Sequence, residues 1–178
     1  MSATTREEIR LGELAIRFLV EGEASGGTVA IFEFDVPAGA RLPIAHSHDG
    51  YEETIYGLKG VLTWTVDGTA TAVGPGEAIC IRRGAVHRFD NHGDVDATAL
   101  GIATPGVIGP DYFREIAAVL QAAAGGPPDP AELAERLAER PFTLIEKSGA
   151  PRGEKFFVFV NPPIVNRELG IRRSCLNE

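Results

Sequence analysis

Short apolar, β-branched or aromatic segments recur along the first hundred residues, at 14–20, 29–35, 54–58, 61–66, 69–73, 78–81 and 97–104. Breaks such as Glu21-Gly22, Asp67-Gly68 and Gly74-Pro75-Gly76 supply the backbone conformations that tight turns need. Many short strands at this spacing predict an antiparallel sandwich or barrel, and no helical period competes before residue 108. The period then changes. Tyr112, Phe113, Ile116, Val119, Leu120 and Ala123 recur at three and four, which predicts an amphipathic helix over 111–124, ended by Gly125-Gly126-Pro127-Pro128. A second helix, 129–140, opens with Asp129 as N-cap, Pro130 at the first helical position and Glu132 three residues after the cap. It carries Leu133 and Leu137 and stops at Pro141. The apolar run at 156–160 reads as a strand buried on both faces, which invites a partner subunit. The expected organisation is an all-β barrel over 1–108, N-terminal strands included, with an appendage over 109–178 packed on it as a helical hairpin and a late strand.

Composition narrows the partners. The 178-residue chain suffices for one domain with a sizeable core and an appendage. Its formal charge of −8 and pI near 5.1 argue against nucleic acid and anionic membranes, both of which favour basic patches. The first ten residues carry acidic side chains and no apolar core, and no run of about 18 apolar residues occurs, so a cytoplasmic protein with no membrane partner is expected. Two cysteines make no disulfide framework: Cys80 lies in an apolar strand pattern, where a buried thiol is expected, and Cys175 lies near the end.

The candidate chemistry is concentrated in His46-Ser47-His48-Asp49-Gly50-Tyr51-Glu52-Glu53. Side chains alternate faces along a strand, so His46 and His48 project the same way, about 7 Å apart before the rings converge, as a chelating pair. Asp49-Gly50 is turn chemistry, after which an alternating segment can return Glu53 beside the histidines, with Glu52 its neighbouring rival. A third imidazole appears downstream in Gly84-Ala85-Val86-His87.

These two segments resemble the paired motifs of the cupin superfamily. In the first, a glycine precedes His-x-His, followed after four residues by Glu and after six more by Gly60. In the second, Gly76 and Gly84 precede His87 and then Asn91. Gly39 lies one residue further from His46 than usual, and Arg82 stands where proline is common. The resemblance covers roughly residues 28 to 104. It implies a cupin jelly-roll, or double-stranded β-helix, and metal coordination by His46, His48, Glu53 and His87, the family spacing favouring Glu53 over Glu52. It also implies a divalent transition metal (Fe, Mn, Ni, Co or Zn) and a homodimer, since many cupins are dimers.

Three imidazoles and one carboxylate leave a divalent ion near plus one and, for an octahedral ion, with open positions that suit a bidentate oxygen ligand. The expected function is a metal-dependent oxygenase acting on a small enolate-, catechol- or diketone-like molecule, similar in site to quercetin dioxygenase, with Glu53 both ligand and catalytic proton acceptor. A non-oxidative isomerase, decarboxylase or lyase and a non-catalytic small-molecule binder are the alternatives. Ile55 shares the face of Glu53 and Phe89 that of His87. Both, with Trp64, are candidates for substrate contact, as are Tyr51 and Tyr56. Arg82 and Arg83 are candidates for drawing an anion to the mouth. Asn91 is expected to bond backbone within its own turn, and His92 to be a solvated loop residue.

Overall fold

A computed structural model describes residues 6–40, 45–122, 143–146 and 157–160. The strands are β1 (Ile9–Leu11), β2 (Leu14–Val20), β3 (Ala30–Val36), β4 (Glu52–Lys59), β5 (Leu62–Val66), β6 (Thr69–Val73), β7 (Ala78–Ile81), β8 (His87–Asp90), β9 (Ala97–Thr104), β10 (Thr143–Glu146) and β11 (Phe157–Val160). One helix, α1 (Pro110–Ala122), follows β9. Six strands form an antiparallel sheet in the order β1-β2-β3-β9-β4-β7, and three form a second in the order β6-β5-β8. This is the antiparallel architecture expected from the spacing of turns, and the jelly-roll β fold that the resemblance implied. Strands β10 and β11 pair with each other, Thr143 opposite Val160 and Glu146 opposite Phe157. Among the described residues no helix is long and apolar enough to cross a membrane.

The two sheets share one core, to which β3 and β9 contribute by strict alternation. In β3, Ala30, Phe32, Phe34 and Val36 are buried while Ile31, Glu33 and Asp35 are only partly so, and β9 repeats the pattern from Ala97 to Ala103. Phe34 of the larger sheet meets Trp64 of the smaller edge-on at 6.3 Å between ring centres, and Phe89 at 5.4 Å. Helix α1 joins this core from its apolar side: Phe113 lies 5.4 Å from Phe32 and 5.7 Å from Phe18. Its role is thus to cover interior aromatic surface, at roughly 1.5–3 kcal/mol for each large side chain removed from water.

Several expectations need adjustment. The helix ends at Ala122 within the described residues, and the second helix, 129–140, lies outside them, as does residue 156 of the late strand. Strands β1, β8 and β10 have no counterpart in the sequence reading: β1 has only three residues, and β8 reads His-Arg-Phe-Asp, with little apolar signal. Cys80 is exposed, not buried. On β7 the inward positions fall to Ile79 and Ile81, so strand alternation turns the intervening thiol outward opposite Thr54.

Candidate metal centre

Among the described residues, the segment that carries His46 and His48 meets β8 at the His46–His87 bridge. The His46 amide donates to the His87 carbonyl at 2.9 Å and the His87 amide returns the bond at 2.8 Å. Gly84 N–H donates to the His48 carbonyl at 2.8 Å, and Gly84 itself has a φ of +75°, the left-handed region that favours glycine. The turn between β7 and β8 thereby fixes both the histidine segment and the entry to His87. Gly60, which closes the first motif, also has positive φ and sits so close to β9 that a Cβ there would lie 2.8 Å from the Ala97 Cα.

The three imidazoles converge. His46, His48 and His87 each present a ring nitrogen, and these three atoms lie within 4.8 Å of one another. Glu53, on β4 of the larger sheet, adds Oε2 at 3.4 Å from His87 Nε2 and 3.8 Å from His48 Nε2. Glu52 is exposed on the opposite face of the strand. All four residues named by the motif spacing are therefore brought together.

The surroundings settle which atoms are offered. His87 Nδ1 lies 2.9 Å from the Ala85 carbonyl, which can only accept, so Nδ1 carries a proton and Nε2 is the ring nitrogen turned to the cluster. His87 is 1% exposed and its Nε2 makes no hydrogen bond, a cost for a buried polar atom unless an electrophile meets it. Burial, with His46 and His87 beside it, holds the His48 imidazole well below the ordinary histidine range, keeping it neutral. Tyr51 is buried and stacks on His48 with ring centres 4.4 Å apart, fixing that ring. Burial, reinforced by the charge of Glu53, pushes the phenols of Tyr51 and of Tyr112 on α1 upward, so both stay neutral donors. Three imidazoles with a carboxylate, one ring nitrogen unengaged, suit a divalent transition ion.

The other candidates divide. Ile55 is completely buried in the layer beyond Glu53, opposite Gly101. Trp64 is 2% exposed and stacks with His87 at 6.3 Å, while its cross-strand partner Phe89 lies 4.8 Å from it. Tyr56 faces outward and is 40% exposed, away from the imidazoles. Arg82 and Arg83 line an open cleft of about 460 Å³ with Cys80 and Asp67, and none of the four candidate ligands lines it. Asn91 is structural as expected, though its reach is longer than its own turn: its side-chain NH2 serves the carbonyls of Val36, Pro37 and Val95, and its Oδ1 accepts from Gly93. His92 is exposed. The Ala85 carbonyl, the Gly84 amide and the Tyr51 stack had no role in the sequence reading. Gly84, three residues before His87, was the available signal for the first two.

Residues 32–103 match the family model of the cupin domain, so this segment of the chain carries a cupin domain. The quercetin 2,3-dioxygenase of Bacillus subtilis is 26% identical over 112 residues, 62% of this chain and 32% of that enzyme. A 50-residue stretch, 28% of this chain, is 54% identical to the ATP-dependent helicase YprA of the same organism, covering 7% of it. The chain thus spans a third or less of the length of either relative. Among solved structures, a predicted oxalate decarboxylase from Thermotoga maritima superposes with a TM-score of 0.52 at 23% identity, covering 57% of this chain and 92% of that one. The polyketide cyclase RemF of Streptomyces resistomycificus gives 0.50 at 24%, covering 65% and 91%. At these identities the structures speak for the fold.

Proposed function

We propose that this protein is a metal-dependent oxygenase acting on a small, oxygen-rich molecule of the enolate, catechol or diketone class. The observation that carries the reading is the convergence of three imidazole nitrogens within 4.8 Å, with the Glu53 carboxylate 3.4 Å from one of them. His46, His48, His87 and Glu53 would hold a divalent ion, which when bound supplies Lewis acidity and open positions for oxygen ligands. His48 enters as a neutral donor because burial holds its imidazole below the ordinary range, and the Ala85 carbonyl engages His87 Nδ1 so that Nε2 is the ring nitrogen left for the ion. Glu53, 8% exposed, is placed to accept the proton of a substrate hydroxyl as that group becomes anionic. Sequence similarity to quercetin 2,3-dioxygenase supports the oxidative chemistry.

The test is oxygen consumption by apoprotein loaded with Fe(II), Mn(II) or Ni(II), across flavonols, catechols and diketones. Uptake with one substrate class, abolished in His87→Ala, is the expected result. Uniform absence of uptake sinks the oxygenase reading. The buried proton acceptor Glu53 also suits a non-oxidative isomerase, decarboxylase or lyase, and turnover under anaerobic conditions is the outcome that selects it.

A further inference from the structure

Trp64 is the only tryptophan of the chain, and its indole is buried beside the imidazole cluster with its Nε1–H unpaired among the described residues. A buried N–H without an acceptor pays its desolvation with nothing in return, and native structures rarely tolerate one. Packing does not explain it. Trp64 and Phe89 are direct cross-strand partners on the layer next to His87 and Val66, and Phe34 closes the other side, so a phenylalanine at 64 would meet the same aromatic neighbours without a donor to satisfy. The indole also lies beside His87, with ring centres 6.3 Å apart at an interplanar angle of 29°, so its unpaired donor belongs to a ring that neighbours the imidazole cluster. Across the larger sheet, Glu53 pairs with Ala103, which pairs in turn with Ala30, both small side chains.

We propose that the Trp64 indole N–H donates a hydrogen bond to an oxygen of the molecule bound at the imidazole cluster, and so selects ligands with an anionic or carbonyl oxygen on that side. The assignment rests on the metal-centre reading above. It adds a polar recognition element beside the aromatic side chains of Phe89 and Phe34.

Having one tryptophan makes the test direct. Protein loaded with Zn(II), labelled with nitrogen-15, gives one indole cross-peak in a proton–nitrogen correlation spectrum. Titration with acetohydroxamate, a bidentate oxygen chelator, should move that proton downfield with saturation. In the Co(II)-loaded protein, the visible absorption band reports the same binding without using the indole. There Trp64→Phe should keep one Co(II) per chain and weaken acetohydroxamate about tenfold, the worth of one buried hydrogen bond. An indole peak that does not move while the Co(II) band shows binding overturns the indole assignment and leaves the metal centre standing. So does equal affinity in wild type and Trp64→Phe. A wild-type protein that takes up no Co(II) overturns the metal reading, and this proposal with it. If Trp64→Phe fails to fold, the wild-type cross-peak alone decides.

Discussion

Glu52 and Glu53 are adjacent carboxylates with opposite surroundings, one exposed and one buried against His87 and His48. Only the buried one can contribute charge to an ion held by the imidazoles. Glu53→Gln, which keeps shape and removes charge, should weaken Co(II) binding by at least about tenfold, while Glu52→Gln leaves the titration unchanged. Equal loss in both variants would show that the effect is general electrostatics and not ligation. Asn91 poses a different question, since its contacts are all with backbone. At 1% exposure its NH2 group faces the carbonyls of Val36, Pro37 and Val95, so Asn91→Asp would set a carboxylate against three acceptors. The expected loss is about 3 kcal/mol or more, against roughly 1–3 kcal/mol for Asn91→Ala, read as urea midpoints at neutral pH.

Between strands, close approach sets the constraints. A Cβ on Gly101 of β9 would fall 2.4 Å from the Phe32 ring, which is held by Phe18, Phe34 and Phe113 and cannot swing away. Gly101→Ala should cost about 1–3 kcal/mol, and Phe32→Leu in the same chain should recover part of it, a coupling that a double-mutant cycle measures. On the outer face of the same sheet, Arg17 of β2 binds Glu33 at 2.8 Å and Asp35 at 2.5 Å on β3, and Thr98 donates to Asp35 at 2.7 Å. Burial raises the Asp35 carboxyl, but these hydrogen bonds outweigh it and hold the group below its usual range. A carboxyl lowered in the folded state stabilises above its unfolded pKa, near 3.9, and that stability is lost as pH falls through the folded value. Arg17→Gln should therefore cost under about 1 kcal/mol at pH 7, the network being partly exposed, and should flatten the decline in stability below pH 4. Apolar, β-branched composition and turn residues made β2 to β7 and β9 legible from the sequence, and β3, β4 and β9 add a strict alternation of buried and less buried positions. The same rule failed for β8, whose partners, not its own polarity, make it a strand: His87 and Phe89 pair with Val66 and Trp64 of β5. The candidate ligand set was legible because its spacing is linear along the chain. The Tyr51 stack and the Ala85 carbonyl were not, since both depend on how the two segments fold over one another.

At the scale of the whole molecule, the four candidate ligands tie together parts that otherwise meet mainly through packing. Glu53 belongs to the six-stranded sheet, His87 to the three-stranded sheet, and His46 and His48 to the segment bridged to β8 by the paired backbone hydrogen bonds of His46 and His87. An ion held by all four would act as a clip between the sheets, and unfolding would scatter its ligands along the chain, leaving no comparable site. Binding confined to the folded state stabilises by RT ln(1 + [L]/Kd), about 2.7 kcal/mol when free metal is a hundred times Kd. Thermal melts should accordingly rise with added Co(II) or Mn(II) and keep rising with the logarithm of concentration after stoichiometric binding. EDTA should return them to the metal-free value. In His87→Ala the melting temperature should not respond to metal, whatever its starting level, because removing the ligand from the smaller sheet opens the clip. A rise of equal size in wild type and His87→Ala would place the stabilising ion elsewhere on this acidic surface and leave the imidazole cluster without a structural role.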